Sequence, residues 1–179
     1  RVGVPIGWCE RLPRTPAVFR RKKRWAAHVD GDGDGDEWVA NYRSARDQPE
    51  ALSDGFAAQL EAGMMKELTF EDARRRYGTR LRIAALGAVP QGDEFRIIHD
   101  GTHGVRVNTA IKVRDQEDPP SHMDLQAVLD WETVNFGGGL MALVFDISKA
   151  HRRVGVVERD WGLQACTRTT SLSPPQSSD

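Results

Sequence analysis

The chain has 179 residues, 39% of them hydrophobic and 28% charged, with a formal net charge of -1. That length suits one compact domain, and the near-neutral charge argues against a globally basic nucleic-acid binder, so any basic surface must come from local clustering. The longest apolar run, Leu140 to Phe145, falls far short of the roughly 20 residues of a membrane helix, so no membrane partner is expected. Arg1-Val2-Gly3-Val4-Pro5 lacks a secretory pattern. The two cysteines, Cys9 and Cys166, exclude a disulfide scaffold and a cysteine-rich zinc site. They suit a reducing compartment, which makes an intracellular location, cytoplasmic or nuclear, the expectation.

In chain order, residues 1–48 read as an irregular N-terminal segment. Pro5, Pro13 and Pro16 break any long element. The run Arg20-Arg21-Lys22-Lys23-Arg24 is either a nuclear-import or phosphate-binding patch or a solvated basic surface. Asp30, Asp32, Asp34 and Gly35 match the start of a calcium loop. Glu37 stands where that loop wants an apolar residue and Asn41 where it wants a bidentate Glu, so a flexible acidic loop is the better reading.

Residues 49–67 predict a helix, because Leu52, Phe56, Leu60 and Met64 recur every four positions after Pro49. A shorter helix follows, with Thr69 as its cap, Asp72 as capping-box acid and Gly78 as a left-handed terminator. From residue 80 the period changes to two, predicting a strand over 80–89, a turn at Pro90-Gln91-Gly92-Asp93 and a second strand from Glu94 to His99. Val105 to Val113 reads as extended or irregular. Ser121 and Asp124 form a capping box for a helix over 121–134, ended by Gly137-Gly138-Gly139. Leu140 to Ile147 reads as a central strand buried on both faces. Residues 167–179 are almost all Ser, Thr and Pro and are expected to be disordered.

Three groups are chemically suggestive. Asp146 closes the apolar run, where it either holds a hard cation such as Mg²⁺, with the Ile147 carbonyl as a second oxygen, or caps the following turn. Arg96 lies between apolar neighbours on a strand, so its guanidinium either meets an anion or reaches a carboxylate or water. His99, Asp100 and His103 read as mixed metal ligands or as a strand-end turn.

Two segments together resemble the reverse transcriptase (RNA-directed DNA polymerase) family of retroelements. Phe95-Arg96-Ile97-Ile98-His99-Asp100, with Asn108 downstream, is similar to the family's fingers segment. Leu143-Val144-Phe145-Asp146-Ile147-Ser148-Lys149-Ala150-His151 is similar to its first palm motif. Trp161 to Cys166 falls where the next palm strand would begin. The resemblance implies that Asp146 and the Ile147 carbonyl bind catalytic Mg²⁺ and that Arg96 contacts the triphosphate of the incoming nucleotide. It places Ala150 and His151 under the nucleotide's sugar, His151 standing where the family has Tyr or Phe.

The family's aromatic-x-Asp-Asp motif is absent from the sequence, which begins on Arg1. The expectation is therefore an α+β fragment, partial fingers and palm over 49–166, inactive alone and binding nucleic acid weakly. Template, primer and dNTP would be partners of the full-length parent. The helix near 121–134 is expected to pack on the strand at 140–147. The alternative is a non-catalytic nuclear or nucleic-acid-associated binding module.

Overall fold

The change of period after residue 80 marks the centre of the fold. Strands β2 (Ile83–Gln91) and β3 (Glu94–Asp100) form an antiparallel hairpin, paired from Ala85↔Asp100 to Gln91↔Glu94. A computed structural model describes residues 3–14, 20–21, 34–111, 114–116, 119–137, 146–147, 153–169 and 173. The protein is α+β. A small pair, β1 (Arg20–Arg21) and β4 (Asp115–Gln116), lies apart from a three-stranded sheet of order β3-β2-β5, in which β5 (Ala165–Cys166) runs parallel to β2. The helices are α1 (Arg43–Arg46), α2 (Pro49–Glu61), α3 (Phe70–Tyr77) and α4 (His122–Phe136).

The hairpin differs from expectation at both ends. The first strand starts at Ile83 rather than residue 80, because Gly78–Arg80 form a 3₁₀ turn. Pro90 pairs with Phe95 inside β2 instead of opening the turn. It is tolerated there because β5 pairs only with Ile83 and Ala84, leaving the β5 side of Pro90 without a strand. The turn is the two residues Gly92 and Asp93, and of these only Gly92 has a positive φ (62°), as a type II′ turn requires.

Ala84, Leu86 and Ala88 alternate on one face of β2 and serve two clusters. Ala84 joins Trp8, Val105, Val107, Ala110 and Leu163. Leu86 and Ala88 join Ala45, Leu52 and Phe56, so the predicted stripe of α2 lands on the hairpin. Ile83 and Ala85 on the other face are also buried, so the base of β2 is covered on both sides rather than half-buried. The helix itself ends at Glu61, short of residue 67, with Ala62 as C-cap.

Two polar residues lock these layers. The buried Asn41 accepts from the Leu86 amide at 2.8 Å and donates to the carbonyls of Thr167 and Thr169 at 2.9 and 3.0 Å. Residues 167–169 are thus tied down, although the composition there predicts disorder; Arg168 also meets Glu67 at 2.5 Å. Asp160 is fully buried. It accepts from the Ile6 amide at 2.8 Å and from Arg80 at 2.5 Å, which satisfies a carboxylate removed from water. The guanidinium groups of Arg80 and Arg82 lie 5.3 and 5.1 Å from the centre of the Trp8 ring. Arg80 is thus a partly buried member of this network.

The caps follow the sequence closely. The Thr69 hydroxyl accepts from the Asp72 amide at 3.1 Å. Ser121 and Asp124 form a full capping box, and Gly137 ends α4 in the left-handed region. Gly78 has φ 50° and ψ -125°, which is not the expected left-handed cap. No residue of α4 is buried. Its expected partner at 140–147 lies outside the described residues except for Asp146 and Ile147.

Candidate functional site

The hairpin has one covered and one open face. Arg96, Ile98 and Asp100 share the face of Ala85, Gly87 and Val89, by the register Val89↔Arg96, Gly87↔Ile98 and Ala85↔Asp100. That face is closed at its base, where Ala85 is buried, and opens toward the tip, where Val89 is 47% and Ile98 43% exposed. Arg96 is exposed on it, and among the described residues it makes no ion pair. An Arg here projects because its strand neighbours Ile97 and Phe95 turn to the α2 side, where Ile97 packs on the Leu52–Phe56 cluster.

Tyr42 closes the base of the open face. Its amide donates to the Leu86 carbonyl at 2.9 Å, and its hydroxyl donates to Asp100 Oδ2 at 2.6 Å. The other Asp100 oxygen accepts from the amides of Thr102 and His103 at 2.9 and 3.1 Å. Burial pushes the Asp100 carboxyl up, but the Tyr42 hydroxyl, the two amides and the nearby His103 outweigh it and hold the group below its ordinary value. The same hydrogen bond to the carboxylate, with burial and Asp100 charge adding to it, raises the Tyr42 phenol.

Beyond Asp100 the chain turns beside an open cleft of about 700 Å³, lined by Asp34, Asp36, Asp100, Thr102, His103, Gly104 and Arg106. The second half of the acidic loop docks here and is part of the fold rather than a free loop. The Asp36 amide donates to the Gly104 carbonyl at 3.0 Å, and Asp34 pairs with Arg106 at 2.9 Å. A Cβ on Gly35 would stand 2.1 Å from the Val105 carbonyl oxygen, so only glycine allows this approach. Asp30 and Asp32 lie outside the described residues.

Asp100 and Asn108, distant in the fingers-like segment, meet at this turn. The Asn108 amide donates to the Gly101 carbonyl at 2.8 Å, and its side chain donates to Thr102 Oγ1 at 3.0 Å. His99 points elsewhere, its Nε2 lying 3.2 Å from the Ala165 carbonyl oxygen. His99, in β3, thus faces β5, whereas Asp100 and His103 lie together at the turn, so the three side chains are not gathered in one place. Among the described residues no group of three or more His, Cys, Asp or Glu is placed to hold a metal ion.

Asp146 and Ile147 are both exposed, and neither lines the cleft. Ala150 and His151 lie outside the described residues, as does most of the palm-like segment. The described residues do not assemble a Mg²⁺ ligand set around Asp146. Trp161 to Gln164 belong to the 3₁₀ segment Glu158–Gln164, and only Ala165 and Cys166 form the strand expected there. Neither Asn41 nor Tyr42 stands out in the sequence, since an Asn-Tyr pair before a helix carries no periodic or capping signal. No helix among the described residues is long and apolar enough to cross a membrane.

Comparison with protein-family models, with curated proteins and with solved structures found no match to this chain.

Proposed function

We propose that this chain is a fingers and partial palm fragment of a reverse-transcriptase-like polymerase, working on template, primer and dNTP in its full-length parent. The observation that carries the reading is Arg96, exposed on the open face of a hairpin with no ion pair among the described residues, within the segment that resembles the family's fingers. A planar, always-charged fork suits a triphosphate. The meeting of Asp100 with the Asn108 turn supports the reading, because it gives both polar residues of that segment one local role. Asp146 would contribute to holding Mg²⁺, which supplies charge stabilisation in phosphoryl transfer. The compartment is cytoplasmic or nuclear.

The sequence contains no Asp-Asp pair, so purified chain should give no primer extension on an RNA template. With a net charge of -1, its affinity for duplex should be weak and fall with salt. Titration of dATP tests the central claim: Arg96→Ala should weaken binding several-fold, and an unchanged affinity would sink the reading. A second reading, a binding module without chemistry, is favoured by α4, which exposes Met123, Leu125, Val128, Trp131, Val134 and Phe136. An α4-dependent protein complex with no nucleotide affinity would select it.

A further inference from the structure

We infer that Tyr42 provides a base-stacking platform beside Arg96, so that the site takes a whole nucleotide rather than a bare phosphate chain. This rests on the fingers reading of Arg96 and names the ligand class of the same face.

A Cβ on Gly87 would meet Tyr42 Cδ2 at 3.6 Å, and no other Tyr42 atom comes within 4 Å. The Tyr42 ring thus lies beside Gly87 on this face, next to the Ser44 hydroxyl, and Tyr42 is 41% exposed. Its hydroxyl is anchored on Asp100, which fixes the ring at little further entropic cost. Gly87 is paired with Ile98, and the next row on the same face is Val89 with Arg96. Successive rows on one face lie about 7 Å apart. A nucleobase against the Tyr42 ring thus has its phosphates within reach of the Arg96 side chain.

The floor between them is the exposed apolar pair Ile98 and Val89, with Gly87 half-buried beside Tyr42 and Ser44. Aromatic stacking, an apolar floor and an exposed guanidinium match a base joined to a phosphate. An acidic peptide would use Arg96 but not the ring and floor together. Glu94, at the tip of the same face, disfavours phosphates there and leaves the Tyr42 side as the place for the ligand.

The test uses the full chain in metal-free buffer, titrated separately with dATP and with inorganic tripolyphosphate. Tripolyphosphate carries at least as much negative charge, so a preference for dATP reports the base. Stacking at its usual strength predicts that dATP binds about fivefold tighter or more. Tyr42→Ala should abolish that preference while leaving tripolyphosphate affinity unchanged, which also shows the variant to be folded. Tyr42→Phe should keep the preference, since it loses the bond to Asp100 but retains the ring.

Equal binding of the two ligands by the unaltered chain would overturn the inference. So would a Tyr42→Phe variant that behaves like Tyr42→Ala, because Tyr42 would then act only through Asp100. If Tyr42→Ala keeps the preference while Arg96→Ala weakens both ligands, the inference fails and the fingers reading stands. If Arg96→Ala leaves both affinities unchanged, the reading itself fails.

Discussion

The hairpin and helix α4 are opposite kinds of structure in one chain. The hairpin is held by burial: Leu86 is 2% exposed, and Leu52 and Phe56 of α2 close over it. Helix α4 has the better local signals, a complete capping box and a left-handed glycine stop, yet Val134 is 83% exposed and Trp131 57%. Among the described residues its aromatic pair is Trp131 against Phe136 at 5.5 Å, within the helix and its final turn. Caps specify where a helix begins and ends, and contribute about 1 kcal/mol each. They say nothing of what the helix packs against, which long-range burial alone decides.

That contrast can be broken most sharply by truncating one apolar side chain in each region. Leu52→Ala should cost about 2–5 kcal/mol, because a fully enclosed side chain leaves a cavity against Leu86 and Ala45. Val134→Ala, on the exposed helix, should stay within about 0.5 kcal/mol. Urea unfolding of the two variants measures both, and equal losses would mean that α4 is as deeply packed in solution as α2.

A second variant asks whether the hairpin layer depends on polar locks as well as on apolar ones. Asn41→Ala removes the acceptor of the buried Leu86 amide and the donor to the Thr167 and Thr169 carbonyls. A loss of about 1–3 kcal/mol is expected, with faster amide exchange at Leu86 and around residues 167–169. An unchanged exchange pattern would show that water replaces Asn41 freely.

For α4 the corresponding lock is the cap. Ser121→Ala should cost about 1 kcal/mol of helix stability, visible as faster amide exchange in the first turn. The global unfolding midpoint should hardly move, since no residue of α4 is buried. A fall in the midpoint as large as that of Asn41→Ala would erase the distinction between the two regions.

The sequence carried these regions unequally. Period-two alternation, a turn expected over Pro90 to Asp93 and the α2 stripe made the hairpin and its covering helix legible, although Pro90 and Gln91 belong to the strand. So did the caps at Thr69 and Ser121, because a capping pattern is local to four residues. What was illegible depended on distant partners. The partial burial of Arg80 follows from Asp160 and Trp8, and the ordering of residues 167–169 follows from Asn41, all far apart in sequence. Of the candidate site, Arg96 is exposed, one of the outcomes its pattern left open. The role of Asp100 as a turn acceptor was one of two open readings. Tyr42 had no signal at all, because its partner Asp100 lies 58 residues away.

The smallest effect sits at that pair, and pH reads it out. Asp100 has a folded pKa below its ordinary 3.8, so its contribution is present above that value and is lost as pH falls through the folded pKa. Tyr42 has a pKa above its ordinary 10.0, so its contribution is present below that value and is lost as pH rises through the folded pKa. The pair therefore adds stability across the neutral range and withdraws it at both extremes. Tyr42 is 41% exposed and Asp100 is half-buried at the surface, so solvent screening keeps the effect small. Tyr42→Phe should flatten the alkaline limb of the stability profile and weaken, without abolishing, the acid limb, because the Thr102 and His103 amides still bind Asp100. Loss of both limbs in that variant would mean that Tyr42 holds the whole turn, and the open face of the hairpin would then depend on one hydroxyl rather than on the buried layer beneath it.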